Sequence, residues 1–304
     1  MKSVFITGLN GYLGAHIARA FQTAGYEVGG LVHDPQAASG LEQQGYTVVT
    51  GDLGEPESYR AAAASADVLV HAARADDQTA LLDRTAVETL LETSRGFEPL
   101  KAVIYTSGLW VYGGSGGALI TEDSPRQPAR LVAWRPEMED LVLNAGGLRG
   151  FVLRPGIVYG AGQSHTTRFF EAVTSGNMYL IGDGTNRWTM VQVDDLARAY
   201  VQAAGLKEGG QHFNISDGSQ YSVAQLAAAA AESAGYKGIL RYISAEEAAE
   251  TLGPLAEALV LDQRVSTLKA RTELGWGPEN PDFVRGIDRY LEEWVKVRDQ
   301  GMAV

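Results

Sequence analysis

The sequence predicts an α/β protein in which a doubly wound parallel sheet is followed by a smaller C-terminal part. Short, almost wholly apolar segments alternate with helical segments through the first half of the chain. Such strands are typical of a sheet that is buried on both faces. A glycine-rich turn directly follows the first of them. After about residue 160 the alternation becomes less regular, which predicts a smaller part built on the main sheet.

The first predicted elements have the clearest patterns. Ser3–Thr7 is a run of β-branched and aromatic residues, which favours a buried strand. From Gly11 to Ala24 apolar residues recur with the helical period, and Gly25 ends that helix. Strands and helices then alternate, as in a parallel sheet covered on both faces. Further strands are expected at Glu27–Val32, Tyr46–Thr50, Val68–Ala72, Ala102–Thr106 and Gly150–Leu153, and further helices at Pro56–Ala64, Thr79–Ser94 and Glu137–Asn144.

The C-terminal part is predicted to interleave with the main sheet. Val191–Val193 followed by Asp194–Ala204 has the pattern of a strand and a helix, and we expect residues of about 191–215 to return to the sheet. Residues 1–160 are therefore predicted as the main domain and residues 161–304 as the smaller part. Its other expected elements are helices at Phe169–Ser175, Ser222–Ala234 and Phe283–Arg298 and a short strand at Tyr179–Ile181.

The composition excludes several classes of protein. Among 304 residues, 37 acidic side chains against 25 Lys and Arg give a net charge of −12, which argues against general binding of nucleic acid or an anionic membrane. There is no cysteine, and the five histidines are scattered, so no metal site is expected. No segment has the length of a signal peptide core or a membrane span. We expect a cytoplasmic protein with a small-molecule partner, and a homodimer is left open.

The glycine motif after the first strand predicts a nucleotide site. Gly8, Gly11 and Gly14 lie three residues apart, between the first strand and the first helix. In that context the first glycine permits a tight turn, the second lets backbone N–H groups approach a pyrophosphate, and the third lets helix and strand pack closely. The N-terminus of the helix adds partial positive charge for the phosphates.

Several segments then resemble one family in their order along the chain. The sequence is similar to the extended short-chain dehydrogenases/reductases, which include the NAD(P)-dependent epimerases and dehydratases. The resemblance covers nearly the whole chain and implies a Rossmann domain with a smaller substrate-binding part. It rests on TGLNGYLG at 7–14, GDL at 51–53, HAA at 71–73, TSGLWVYG at 106–113, RPGIVYG at 154–160, VQVDDLA at 191–197 and LGWGP at 274–278.

The resemblance implies the residues that hold the nucleotide. The glycine loop meets the pyrophosphate, the GDL segment meets the adenine, and the HAA segment lies beside the ribose. Arg135 falls on the lysine that holds a ribose hydroxyl. The implied cofactor-binding residues are Gly8, Asn10, Gly11, Tyr12, Leu13, Gly14, His33, Asp52, Leu53, Ala72, Ala73, Arg74, Arg135 and Pro155.

The sequence departs from the family in its acid–base residues. The family has Tyr-x-x-x-Lys on a helix, in which the tyrosine transfers the substrate proton and the lysine lowers its pKa. If Glu139 matches the family's later glutamate, Arg135 replaces the lysine and Leu131 replaces the tyrosine. The family's serine or threonine falls on Gly108, one position after Ser107. The resemblance therefore predicts an atypical catalytic set.

Four side chains are candidates for the missing chemistry. Ser107 is expected to end a strand on the ligand side of the sheet, and Tyr112, Tyr159 and His165 lie in loops beyond strand ends. A histidine there titrates near neutral pH and could replace the tyrosine. Each also has a structural interpretation, as a turn hydroxyl, a packed tyrosine or a solvated loop histidine. Surrounding residues that could shape the pocket are Arg74, Asp76, Asp77, Arg187 and Trp188.

The end of the second strand favours NADP, with NAD as the alternative. NAD-binding domains place an acid there for the ribose 2′-hydroxyl. Here Val32 takes that position, and His33 takes the position where NADP-preferring members carry arginine. Asp34 could instead serve NAD. The function expected is NADP(H)-dependent oxidoreduction, epimerisation or dehydration of a small hydroxy or carbonyl compound. The alternatives are a non-catalytic NADP-binding redox sensor and an enzyme in which the nucleotide is structural.

Overall fold

The computed structural model describes residues 1–74 and 79–301 of the chain. Eleven strands and twelve α-helices follow one another in these ranges. The strands are β1 (Ser3–Thr7), β2 (Glu27–Val32), β3 (Thr47–Thr50), β4 (Val68–His71), β5 (Ala102–Thr106), β6 (Arg149–Pro155), β7 (Ile157–Tyr159), β8 (Tyr179–Ile181), β9 (Met190–Gln192), β10 (Gln211–Ile215) and β11 (Arg241–Ile243). The helices are α1 (Tyr12–Thr23), α2 (Pro35–Gln43), α3 (Arg60–Ser65), α4 (Thr79–Ser94), α5 (Arg135–Leu143), α6 (Thr167–Ser175), α7 (Val193–Gly205), α8 (Val223–Ser233), α9 (Ala245–Leu252), α10 (Pro254–Leu259), α11 (Leu268–Thr272) and α12 (Ile287–Asp299).

Seven strands form one parallel sheet in the order β10-β6-β5-β4-β1-β2-β3. The chain proceeds from β1 outward through β2 and β3, and then starts again at β4 on the other side of β1. The strand order therefore reverses between β1 and β4, and ligands of such sheets bind in the crevice beyond the carboxyl ends at this point. The predicted doubly wound sheet is confirmed.

Alternate residues of the strands point into two separate cores. Ile6, Val70 and Ile104 pack on one face with α1 and α7. Phe5 and Leu69, the neighbours of two of these residues, pack on the other face with α3, α4 and α5. Because both faces are covered by helices, the strands must be apolar at nearly every position, which is the pattern in the sequence.

The C-terminal part has a core of its own. Aromatic side chains of α6, α12 and the segment before α12 pack together, and the short parallel pairs β7–β9 and β8–β11 border them. The chain returns to the main sheet in between: β10 pairs with β6, and α7 lies in the same core as α1. The main sheet is thus completed by residues that follow the first strands of the smaller part.

Some elements differ from the sequence expectation. The segment expected as one helix over Pro56–Ala64 is a 3-10 turn at Pro56–Ser58 followed by α3. Helix α2 was not predicted, although Asp34 caps it by accepting a hydrogen bond from the backbone N–H of Gln36, and Pro35 is its first residue. The other unpredicted elements are β7, β11, α9, α10 and α11.

Within residues 1–74 and 79–301, no helix combines the length and apolar character needed to cross a bilayer. No cluster of three or more metal-ligating side chains occurs in the same part of the chain.

Candidate active site

The glycine loop between β1 and α1 forms a cradle open to an anion. Gly8 has a φ of 74°, and a Cβ there would lie 2.8 Å from the Cα of Ala73 in the loop after β4. A Cβ on Gly14 would lie 2.0 Å from the carbonyl oxygen of Gly8. Gly11 precedes α1, whose first turn has neither a side-chain cap nor an acidic residue. The N–H groups at this helix end are therefore free for phosphate oxygens.

The other predicted loop residues have separate contacts. Asn10 is exposed, and Leu13 packs against the main core. The Tyr12 hydroxyl donates to the carbonyl oxygen of Gly160 at 3.0 Å. Tyr12 therefore ties the nucleotide loop to the loop that begins the C-terminal part.

At the adenosine end the structure brings His33 and Asp52 together. The His33 side chain is 84% exposed, and its Nδ1 lies 3.2 Å from an oxygen of Asp52. Leu53 packs against the core beneath. The residue at the usual position of the acid that binds a ribose 2′-hydroxyl is Val32, and it is buried. No acid therefore occupies that position. Asp34 caps α2, which gives that carboxylate a structural partner.

At the other end of the crevice two buried polar atoms have no hydrogen-bond partner within residues 1–74 and 79–301. Arg135, the first residue of α5, donates from Nη1 to the carbonyl oxygen of Thr106 at 2.6 Å, while its Nε has no partner. Ser107, the next residue after Thr106, is 5% exposed, and its Oγ is also unpartnered. Buried polar atoms are rarely left without a hydrogen bond, so these two fit a polar group supplied by a ligand. Ala72, Ala73 and Pro155 lie at the carboxyl ends of the neighbouring strands β4 and β6.

The two positions at which the resemblance predicts a departure from the family's acid and serine are Leu131 and Gly108. Leu131 lies in the 3-10 turn Arg130–Val132 and packs in a small cluster with Ala129, Ala258 and Trp110. A Cβ on Gly108 would have a single neighbour, the carbonyl oxygen of Pro155 at 3.8 Å. The turn that would carry a phenol thus presents an aliphatic side chain, which cannot transfer a proton.

Tyr112 belongs to a buried polar network. Its hydroxyl accepts from Arg154 at 2.5 Å and donates to Asn214 Oδ1 at 2.9 Å. Arg154 in turn makes a bidentate pair with Glu139, at 2.9 and 2.6 Å. Burial raises the pKa of the Tyr112 phenol. These contacts favour a structural role.

Tyr159 lies in the core of the C-terminal part. Its hydroxyl donates to Asp217 Oδ2 at 2.9 Å, and its ring meets Phe283 and Tyr290 edge to face. Burial, together with the charge of Asp217, raises the pKa of the phenol far above its usual range. A structural role is favoured here as well.

His165 lies in the loop after β7 and packs against the segment that follows β5. Its ring packs against Trp110, which follows β5, at 5.8 Å between centroids. Burial first, and then the charges of Arg168 and Arg74, lower the pKa of His165 to about 4. Arg74 follows β4, so a positive charge from the loop after that strand also acts on His165. At pH 7 the imidazole is neutral, so it can donate a hydrogen bond but is a poor general acid.

The pH dependence of His165 can be measured directly. We expect its ring proton resonance to titrate with a midpoint near pH 4, identified by its loss in His165→Gln. Because the unfolded state binds the proton more tightly, this residue contributes stability that is full above about pH 6.5 and is lost as pH falls toward 4. A midpoint above about pH 6 would show that His165 is not in the buried environment described here.

The remaining predicted pocket residues divide into two groups. Trp188 is a core residue, with its Nε1 donating to the carbonyl oxygen of Leu259 at 2.9 Å, and Arg187 lies 3.6 Å from Asp262. Asp76 and Asp77 lie outside the described residues.

One buried carboxylate was not predicted from the sequence. Asp83 lies on α4 and is buried, and its only signal in the sequence is an acidic residue within a helix that packs on the sheet.

Comparison with known proteins identifies the class. The model of the NAD-dependent epimerase/dehydratase family matches residues 4–216. The chain belongs to this family, with a Rossmann domain and an NAD(P) site. It is 28% identical over 293 residues to an uncharacterized protein of Schizosaccharomyces pombe, covering 93% of this chain and 97% of that protein.

Two further similarities are one in sequence and one in fold. The chain is 27% identical to a 4-hydroxy-2-methyl-3-oxo-4-farnesyl-3,4-dihydroquinoline-1-oxide ketoreductase of Stigmatella aurantiaca, covering 90% of this chain and 91% of the other. It superposes on the dTDP-glucose 4,6-dehydratase of Streptomyces venezuelae, solved with bound NAD, with a TM-score of 0.82, 20% identity and 98% of each chain covered. The second similarity shows the fold alone.

Proposed function

We propose that this protein is an NADP(H)-dependent reductase of a small carbonyl compound. The observation that carries the proposal is that Ser107 Oγ and Arg135 Nε, at the carboxyl end of β5, are buried without a hydrogen-bond partner among the described residues. Strand β5 is separated only by β4 from β1, whose carboxyl end carries the glycine loop, and the family's nucleotide site is expected at this edge of the sheet. The ketoreductase among the relatives supports reduction over epimerisation.

Each residue of the proposed site has a role set by its position. The bound nicotinamide would supply a hydride to the carbonyl carbon, and the proton that completes the alcohol would come from water, because Leu131 has no proton to give. Backbone N–H groups of the glycine loop hold the pyrophosphate, and Arg135, which is permanently charged, holds a ribose hydroxyl. Ser107 donates a hydrogen bond to the substrate oxygen. The neutral ring of His165 and the positive charges of Arg74 and Arg168 favour the negative charge that develops on that oxygen.

The test is NADPH oxidation with a panel of aryl and alkyl ketones and aldehydes. We expect Ser107→Ala to lower kcat/KM by about tenfold or more, because a charge-developing oxygen loses its donor. Tyr112→Phe and Tyr159→Phe should fold less stably and keep most of the turnover, whereas His165→Ala should lose several-fold. Full activity of both Ser107→Ala and His165→Ala would reject this assignment of roles.

A second function is favoured by Leu131. With an aliphatic residue in place of the family's acid, the protein could bind NADP(H) without turnover and act as a redox sensor. The two functions differ in one measurement: tight binding of NADPH with no oxidation by any carbonyl of the panel, and a conformational difference between the NADP⁺ and NADPH forms, would favour the sensor.

The preference for NADP is a separate prediction. We expect wild type to bind NADPH more tightly than NADH and His33→Asp to reverse the order, because a carboxylate repels a 2′-phosphate and accepts from a 2′-hydroxyl. Calorimetric titration of both nucleotides measures it. Gln43→Asp, at the other end of α2, adds the same charge as a control. Tighter binding of NADH by wild type would mean that the Asp52 carboxylate beside His33 sets a preference for NAD.

The homodimer stays a prediction, which sedimentation can test.

A further inference from the structure

A buried polar cluster links the glycine loop to Arg135. We call it the Asp83 cluster: Thr7, His71, Asp83, Tyr105 and Trp134. Thr7 Oγ1 lies 2.6 Å from His71 Nδ1, and His71 Nε2 lies 2.8 Å from Asp83 Oδ1. The other carboxylate oxygen of Asp83 accepts from the Tyr105 hydroxyl at 2.5 Å and from Trp134 Nε1 at 2.8 Å. The contacts join β1, β4, α4, β5 and the turn before α5.

Asp83 is the centre of this cluster. It is 8% exposed and accepts three hydrogen bonds from three different elements. Burial alone would raise the pKa of the carboxyl, but His71, Tyr105 and Arg135 together lower it. The carboxylate therefore stays charged in the interior, where one charge organises several donors.

The cluster reaches Arg135 through two aromatic rings. Trp134 directly precedes Arg135, and its ring lies 5.9 Å from the guanidinium carbon. The Tyr105 ring lies 6.0 Å from the same carbon. Both rings are held by Asp83, and Arg135 itself donates to Thr106, the residue after Tyr105. The direction of the guanidinium is thus set by groups that Asp83 fixes.

We propose that Asp83 is the positioning residue of Arg135 and thereby of the nicotinamide half of the nucleotide. This rests on the proposed function, in which Arg135 holds a ribose hydroxyl. Asp83 does not touch the nucleotide in this scheme. Its carboxylate orders Trp134 and Tyr105, and the two rings hold the guanidinium. The adenosine half, at His33 and Asp52, lies at the β2 and β3 side of the switch point and is independent of it.

The test is a double-mutant cycle on nucleotide affinity. Asp83→Asn keeps the size of the side chain and removes its charge, and we expect it to weaken NADPH about tenfold, as Arg135→Gln does. The double variant should lose about as much as either single one, because both remove the same interaction. Adenosine 2′,5′-bisphosphate, which lacks the nicotinamide half, should bind all variants as it binds wild type.

Two further variants keep the test decisive. Trp134→Phe removes the indole donor to Asp83 and makes the ring beside Arg135 smaller, and it should show the same selective loss of NADPH even if Asp83→Asn does not fold. Glu88→Gln, on the exposed side of α4, should change neither affinity. Additive losses of about a hundredfold in the double variant, or equal loss of both ligands, would overturn the positioning role and leave the proposed function standing. A wild type that binds no nucleotide would overturn both.

Discussion

Gly11→Val abolishes binding of NADP(H) while leaving the protein folded, with an expected loss of affinity of about a hundredfold or more. The backbone of Gly11 has φ −70° and ψ 162°, which valine adopts readily, and a Cβ there would meet only the Gly8 carbonyl oxygen, at 3.2 Å. The rest of the side chain must occupy the space in front of α1, where the pyrophosphate would approach. Calorimetric titration with NADPH measures the loss, and thermal unfolding reports the fold.

Gly11 is the suitable position because a substitution at Gly8 or Gly14 would change the fold of the loop as well as its affinity for the nucleotide. Gly8 has a positive φ, and Gly14 has no room for a Cβ, so substitution at either disturbs the loop itself. Gly40→Ala in α2, where a Cβ meets nothing within 4 Å, is the matched control and should bind as wild type does. Unchanged affinity in a folded Gly11→Val protein would refute the nucleotide site at this loop.

Glu139→Ala is expected to destabilise the protein by about 3–5 kcal/mol, because it leaves a buried charge unpaired. Glu139 is fully buried, and its partner Arg154 is 2% exposed. Arg154 also donates to Tyr112, so the substitution disturbs the attachment of the β5–α5 segment to β6 and β10. Urea unfolding followed by circular dichroism measures the change.

The control for this second prediction lies two residues earlier on the same helix. Glu137 is exposed and pairs with Arg84 at the surface, and Glu137→Ala should cost less than about 1 kcal/mol. If Glu139→Ala were as mild as Glu137→Ala, the buried pair would not contribute as its geometry indicates. Because the Glu139 carboxylate contacts Arg154 and Arg126 and is not among the expected nucleotide-binding residues, NADPH affinity of the folded fraction should change little.

The main sheet could be predicted because its signal is local. Each strand is a short apolar run, and the Gly8–Gly14 motif lies between a strand and a helix that are adjacent in sequence. The three-residue strands β7 and β11 could not be predicted in this way, since β11 pairs with β8, about 60 residues away. Their stability comes from packing rather than from a pattern of their own.

The site was predictable only where a motif fixes it. Counting from Glu139 predicts that Leu131 takes the position of the family's acid, and this stays a prediction; the structure places Leu131 in an apolar cluster. Tyr112 and Tyr159 also follow from motif positions, but their partners Asn214 and Asp217 lie 102 and 58 residues away. No local pattern shows that these hydroxyls are already engaged. The same holds for Asp83, whose donors come from three separate elements.

The return of α7 and β10 to the main sheet makes folding of the chain a cooperative, non-local event. A fragment that ends at residue 160 would lack β10, leaving β6, which still pairs with β5, as the edge strand of the sheet, and would expose the α1 face that Leu196 and Tyr200 cover. Pairings over such sequence distances slow the search for the native state. The sheet that carries the expected nucleotide site is therefore complete only when the chain has extended through β10, which ends at Ile215.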